Sequence, residues 1–345
     1  MKKSLLALIK YLLGLGLGGV LLYFAFRGID FADLKAELSR ANLSWLLLAM
    51  GVGLVSHYFR AARWRMQMIA SGYDPSLLNT FAAVMVAYLV NLALPRAGEV
   101  ARCSVLLRSD RVPLSTALGT VVVERVFDVI VLGLMVLAVF FLEFDTLYQG
   151  LRLFSSNNPA SAPDKGLPDW IYVVALGGLL LAGLGWFFRR QILEIPLFHK
   201  MFQFARDLIR SAMSIRYLKY PGRFVVYTLI IWICYILMTY IGFFIMPAIS
   251  GLDINLIYFA WILTVVGGIG FALPSPGGMG SYHAAVVICF LGFQVLPDAD
   301  ASRQLGLAFA TILHASQLLM MVVVGGLAYM YLWVQPPRDS TIVPA

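Results

Sequence analysis

Two stretches put ionisable side chains where the surrounding sequence is apolar. The first, "PRAGEVAR", sets Arg96, Glu99 and Arg102 at three-residue steps behind Pro95 and around Gly98. Proline ends an incoming helix, because it lacks an N–H and clashes with the preceding turn. Glycine tolerates the tight geometry that follows. A helix restarting near Glu99 would present free N–H groups and the positive end of its dipole. With arginines alongside, that is a phosphate-binding arrangement. The second stretch, "TVVVERVFDVIVL", holds Glu124, Arg125 and Asp128. Residues 124 and 128 are four apart and share a helix face. At 1.5 Å per residue, Glu124 lies ~14 Å along the axis from Ser115. Ionisable groups at such depth are costly and turn toward a polar cavity or a partner. Two outcomes remain open: the arginines hold a phosphate, or Arg96 or Arg102 pins its segment to Glu124 or Asp128. For Arg108 and Arg111, snorkelling to lipid headgroups is explanation enough.

A third stretch, "LPSPGGMGSYH", contains Pro274, Pro276, Gly277, Gly278 and Gly280 before Ser281 and His283. Glycines at a helix start let a headgroup or another backbone come close, and Ser281 reads as an N-cap. His283 and His314 would offer a proton relay if they faced one cavity. Tyr58 and Trp64, like Trp170 and Tyr172, fit interfacial belts.

These residues must be positioned by membrane helices. The 345-residue chain is 61% hydrophobic and 13% charged, against roughly 45–50% and 25% in soluble domains. Period-two alternation is absent, which argues against a barrel. The first apolar run, 5–26, lacks a small-residue cleavage site and reads as a membrane helix rather than a signal peptide. The net charge of +8 reflects basic cytoplasmic loops and not nucleic-acid binding. Cys103, Cys234 and Cys289 are too few and scattered for a disulfide framework or metal site; Cys234 and Cys289 read as small buried hydrophobes. No Walker motif, H-E-x-x-H or acidic metal cluster is present, so neither cofactor nor metal is expected.

Apolar runs place helices at about 5–26, 44–59, 76–94, 115–142, 169–188, 223–247, 254–273, 281–295 and 305–333. The tract 189–223 carries Arg189, Arg190, Lys200, Arg206, Arg210, Arg216, Lys219 and Arg223 against Glu194 and Asp207, and must be cytoplasmic. Its helix 196–217 is basic and amphipathic, suited to an anionic lipid surface. The tract 143–168 reads as an outside loop. Counting back, the arginines of 60–65 and 95–114 fall on the same side, so 76–94 cannot cross between them. The return limb 99–111 is too short and charged to span. The consistent solution is a re-entrant hairpin over 76–111, with a second over 254–295. Both termini are then cytoplasmic, including the tail 334–345. Only Arg27, Lys35, Arg40, Arg152, Lys165 and Arg303, of 26 Lys and Arg, lie outside.

The expected fold is all-α and polytopic, with about six full transmembrane helices plus the two hairpins. The turns echo each other: "ALPRAG" (Ala93–Gly98) and "ALPSPG" (Ala272–Gly277) agree at four of six positions. Each stands at the same place in a unit, 1–142 and 169–333, that crosses three times. An odd number of crossings inverts the second unit, and inverted repeats with broken helices near the midplane are a transporter signature.

"PRAGEVAR", "ERVFDVIVL" and "PSPGGMG", in this order and over nearly the whole chain, resemble the membrane region of lysylphosphatidylglycerol synthase and its stand-alone flippase-like relatives. The resemblance implies a bacterial-type cytoplasmic (inner) membrane protein that moves polar lipids between leaflets. It implies membrane phospholipids or other anionic polar lipids as partners, with a second copy of the chain and a separate lipid-modifying enzyme left open. The synthase carries a soluble aminoacyl-transfer domain after this region. This chain ends at Ala345 and is not expected to make the aminoacyl lipid. The family often has a glutamate where this chain has His283. In this reading Arg96, Glu99, Arg102, Glu124, Arg125 and Asp128, with Gly277, Gly278, Gly280, Ser281 and His283, contact the headgroup. Competing readings are an intramembrane hydrolase using Ser281 with His283 or His314, a lipid-glycosyltransferase accessory protein, and a scaffold that transports nothing.

Overall fold

The computed structural model describes residues 39–94, 96–155, 218–273 and 275–340. The expected helices at 5–26, 169–188 and 196–217, and two of the three turn prolines, Pro95 and Pro274, lie outside them. Among the described residues the regular structure is helical, with no strand.

Local chemistry sets most boundaries. Helix α1 (Leu43–Ala70) is capped by the Asn42 carboxamide, which accepts from Ser44 N at 3.0 Å. Ser76 caps α2 (Leu77–Ala93), and α3 (Gly98–Asp110) follows after a short turn. Helix α4 (Leu114–Ser155) has a kink at Glu143. Helix α5 (Pro221–Phe243) starts with proline in its first turn, where the missing N–H is not needed. After one helical turn at Pro247–Ser250, Asn255 caps α6 (Leu256–Ala272). A 3-10 turn, Pro276–Gly278, leads to α7 (Ser281–Gly292). Asp298 caps α8 (Ala299–Val334), accepting from Ala301 N at 2.8 Å.

Four of these helices, α1, α4, α5 and α8, are long and apolar enough to cross a membrane. Helices α2, α6 and α7, of 17, 17 and 12 residues, fall short of the ~20 residues that a crossing takes. The outward faces of α4 and α8 expose Val129, Leu134, Phe141, Leu327 and Met330, the inside-out pattern of a protein solvated by lipid.

Helices α2 and α3 pack as one hairpin and α6 and α7 as another. Around the first, Ala61, Trp64, Met68, Val84, Cys103, Leu106 and Val121 form a core shared by α1 to α4. Around the second, Phe243, Phe259, Phe290 and Phe309 bring α5 to α8 together. Cys234 and Cys289 are buried in apolar surroundings, as their sequence context indicated.

Three segments differ from the sequence reading. Helix α1 does not end near residue 59; it runs on through Arg60, Arg63 and Arg65 to Ala70. Helix α4 continues to Ser155, through residues read as an outside loop. This extension packs on α7, where a Cβ on Gly150 would lie 2.1 Å from the Ile288 carbonyl oxygen. Tyr258 OH also donates to Glu143 at the kink, at 2.6 Å. Residues 335–340, read as the start of a cytoplasmic tail, dock on the base of the first hairpin. The Arg338 amide donates to Ser109 O at 2.7 Å, Asp74 N to Ser340 O at 2.7 Å, and Ser340 Oγ to Asp110 O.

Asp110 organises this base of the first hairpin. Fully buried, it accepts from Ser76 N and Asn79 Nδ2, both at 2.9 Å, and from Ser109 Oγ at 2.7 Å. Asp110→Ala is expected to destabilise the fold by about 1–3 kcal/mol, because it strands buried donors. Thermal unfolding in detergent should show a lowered midpoint, with Asp110→Asn intermediate; an unshifted Asp110→Ala midpoint would contradict this role.

Candidate functional site

Helix α1 presents His57, Arg60, Arg63, Trp64 and Gln67 at three- and four-residue steps, so one buried face carries all five. Facing it, α4 contributes Glu124, Arg125 and Asp128, and α3 contributes Arg102. Glu124, with no exposed surface, is the hub. Its Oε1 accepts from Arg60 Nη1 at 2.8 Å and Arg125 Nη2 at 3.1 Å; its Oε2 accepts from Arg102 Nη1 at 3.1 Å. Asp128 accepts from Arg60 Nη1 at 2.9 Å and Arg63 Nη2 at 2.7 Å. Helix α5 completes the wall: Arg60 Nη2 donates to Tyr235 OH at 2.9 Å and Arg63 Nη1 to Thr228 Oγ1 at 3.0 Å. The Arg102 guanidinium lies 4.5 Å over the Trp64 ring, a cation–π contact strengthened by desolvation.

Charge does not balance in this cluster. Four guanidiniums, those of Arg60, Arg63, Arg102 and Arg125, surround two carboxylates, Glu124 fully buried and Asp128 largely so. A third carboxylate, Glu99, sits on the rim 3.8 Å from Arg125 Nε. Arg125 and Glu99 are the solvated edge, with side chains 45% and 31% exposed. Every oxygen of Glu124 and Asp128 is engaged by arginine. Arg60 Nε, Arg63 Nε and Arg102 Nη2, by contrast, are buried donors without a hydrogen-bond partner; both ring nitrogens of His57 and the amide nitrogen and oxygen of Gln67 also lack one. A buried donor left without an acceptor is costly, so the three guanidinium N–H groups suit an added acceptor such as an anion.

Of the sequence-selected residues, Arg102, Glu124, Arg125 and Asp128 meet here, with Glu99 at the edge. The pin between the hairpin and α4 is the Arg102–Glu124 pair. Arg96 does not join it. It stands exposed at the hairpin tip, at φ 66°, with Nη2 3.5 Å from the Ala272 carbonyl of the other hairpin. It makes no ion pair among the described residues. The N-terminus of α3 is also less open than expected. Gly98 N donates to Asn91 Oδ1 at 2.7 Å, and a Cβ there would lie 2.2 Å from Ala87 O, so the glycine serves close packing of α3 on α2.

The second hairpin holds a separate group. Gly277, Gly278 and Gly280 have φ of 59°, 80° and 81°, conformations that favour glycine. Ser281 is the first helical residue and not the cap; Gly280 occupies that position. The Ser281 hydroxyl bonds with Ser275 Oγ at 2.7 Å and Gly278 O at 3.2 Å. His283 and His314 do come together, with ring centroids 5.3 Å apart, and His314 Nε2 lies 2.9 Å from Gly277 O. The two turns meet: besides Arg96 on Ala272, a Cβ on Gly277 would sit 3.6 Å from Leu92.

Sequence reading missed Arg60 and Arg63, taken as loop arginines, and Tyr235 and Thr228, taken as part of an apolar span. Trp64, expected in an interfacial belt, is fully buried, its Nε1 donating to Thr120 Oγ1 at 2.9 Å. The available signal was periodicity. His57, Arg60, Arg63 and Gln67 continue the helical spacing of the apolar residues before them.

The family model of the lysylphosphatidylglycerol synthase TM region matches residues 11–325. The chain is also similar to a UPF0104 membrane protein of Methanocaldococcus jannaschii, 22% identical over 326 residues, covering 87% of this chain and 88% of the relative. No solved structure matches it. With nearly the whole chain inside the family model, this multi-pass membrane protein belongs to the lysylphosphatidylglycerol synthase transmembrane-region family.

Proposed function

We propose that the protein is a lipid translocase, flippase- or scramblase-like, that passes a phosphate-bearing polar lipid between the leaflets of a bacterial-type inner membrane. The observation that carries this reading is the excess of guanidinium over carboxylate in a buried cluster with one solvated edge. A net charge inside a membrane protein is costly, and a lipid phosphate entering past Arg125 supplies the missing anion. The donors left without partners are the groups it would satisfy.

Two short hairpins whose tips touch support a re-entrant, inverted-repeat arrangement with both termini cytoplasmic. Irregular backbone at depth is tolerated where it is buried in protein or lines a cavity. The lipid path then runs between the hairpins and α1 and α4. His283 and His314 stand beside the second turn, where they suit coupling to protons. Membrane phospholipids are the partners in this reading.

The test is transport by purified protein in liposomes, using a fluorescent phospholipid and a membrane-impermeant quencher. Wild type is expected to make inner-leaflet label accessible faster than in protein-free vesicles. Arg125→Gln, at the solvated edge, should slow this about tenfold, equivalent to 1.4 kcal/mol, with an unchanged elution profile. Wild-type rates equal to protein-free vesicles across a phospholipid panel would overturn the proposal.

A further inference from the structure

The buried polar groups do not stop at the arginine cluster. On α1, one turn before Arg60, His57 is 5% exposed, and neither ring nitrogen has a hydrogen-bond partner. Its ring packs on Tyr88 of α2, with centroids 4.4 Å apart. Arg60 stands beside it on its own helix and links it to Glu124 and Asp128 of α4 and to the Tyr235 hydroxyl of α5. From α8 comes Gln317, also buried, whose Nε2 lacks a partner. Side chains on a helix lean toward its N-terminus. His57 therefore covers the turn that holds Gly53, and there the missing side chain admits α8: a Cβ on Gly53 would lie 2.9 Å from Gln317 Oε1.

Gln317 is three residues from His314, on the same face of α8, and leans toward it. His314 in turn lies beside His283 and within hydrogen-bonding distance of Gly277 O at the second turn. Arg60, His57, Gln317, His314 and His283 thus form a file of polar side chains between apolar helices. It runs from the first site to the turn of the second hairpin. Buried polar atoms without a protein partner are where proteins hold internal water, and imidazoles joined by water pass protons. A ring takes a proton at one nitrogen and gives up the proton on the other, ending neutral with its tautomer exchanged. Beyond the histidine pair the packing is apolar. Phe309, five residues before His314, packs with Phe243 and Phe290, and Phe259 completes the stack. In this conformation the file opens to one side, so a proton crosses only when the protein rearranges, as a coupled carrier requires.

We infer that the protein moves protons, relayed by His57 between the arginine site and the His283–His314 pair across the Gln317 amide. Arg60 only donates and takes no part in the transfer. The proton reaches His57 through water from the edge at Arg125, whose side chain is 45% exposed. Tyr88 positions the ring. The inference builds on the translocase reading, extends its coupling residues to α1 and α8, and has its own readout.

The purified full chain is placed in vesicles of phosphatidylglycerol and phosphatidylethanolamine that enclose a pH-sensitive dye, with the membrane potential clamped by valinomycin and potassium. An imposed pH gradient is expected to collapse about tenfold faster than in protein-free vesicles. His57→Gln keeps a hydrogen-bonding side chain but carries no proton, and should return the rate to the protein-free value. Gly53→Ala leaves every titratable group in place and displaces the Gln317 amide. It should slow the collapse with an unchanged elution profile, which a merely structural role for His57 would not produce. If His57→Gln yields no monodisperse protein, Gly53→Ala decides alone. Wild-type vesicles holding the gradient as long as protein-free ones would overturn the inference, as would either variant collapsing it at the wild-type rate. Labelled lipid moving in vesicles that hold their gradient would remove the relay and leave the translocase standing. Proton flux without lipid movement would do the reverse.

Discussion

Glu124→Gln is expected to be among the most damaging single substitutions in the protein. Glu124 is fully buried and accepts from Arg60, Arg102 and Arg125, with Arg63 Nη2 at 3.6 Å. A glutamine keeps the shape but removes the charge. Four guanidiniums would then share Asp128 and the rim carboxylate Glu99. Breaking a buried ion pair from one side costs about 3–5 kcal/mol, because the remaining charge stays buried. We expect a large drop in the unfolding midpoint, read by tryptophan fluorescence in detergent, and low recovery of monodisperse protein. A compensated variant separates this cause from general damage. Adding Arg60→Met to Glu124→Gln removes one orphaned cation and should recover about 1 kcal/mol or more through coupling between contacting residues. A wild-type midpoint for Glu124→Gln would show that the cluster does not depend on its charge.

The second large effect is expected where α4 crosses α7. A Cβ on Gly150 would lie 2.1 Å from Ile288 O, and one on Gly292 would lie 2.3 Å from Thr146 O. These obstacles are backbone carbonyls inside helices, so no rotamer change makes room. Small residues at helix crossings in membranes exist to permit this approach. Gly150→Ala and Gly292→Ala should each cost about 2–3 kcal/mol, at the upper end for overpacking. The pair should cost less than the sum, since either alone forces the helices apart. Gly133→Ala in the same helix meets nothing within 4 Å. It should leave the midpoint unchanged or raise it slightly, by up to about 1 kcal/mol from helix propensity. Equal midpoints for Gly133→Ala and Gly150→Ala would remove the crossing as a constraint.

The all-helical membrane class could be read from one dimension because hydropathy is a sum over local composition. The short helices around "ALPRAG" and "ALPSPG" were legible for a related reason: proline and glycine punctuate a chain wherever they stand. Arg102, Glu124, Arg125 and Asp128 were legible as residues too expensive to leave in an apolar run without a partner. Arg60 and Arg63 were not, because an arginine just past a hydrophobic stretch looks the same whether it faces a headgroup or a carboxylate. The carboxylates that settle it lie 64 and 65 residues away along the chain, at Glu124 for Arg60 and Asp128 for Arg63. Arg96 stands apart from them: its motif suits an anion, and at the hairpin tip its guanidinium reaches the Ala272 carbonyl of the opposite hairpin.

The extension of α4 to Ser155 and the docking of residues 335–340 show the same division. Both are polar enough to read as loop or tail, and both are held by partners distant in sequence, Gly292 and Ser109 among them. By itself the sequence determined the solvent, the helical class, the turns and the list of charges that needed company. Tertiary structure alone decided the company: which arginines share Glu124, how many cations exceed the carboxylates, and which donors are left over. Propensity and hydropathy are properties of a segment, whereas charge balance and donor satisfaction belong to a site assembled from four helices.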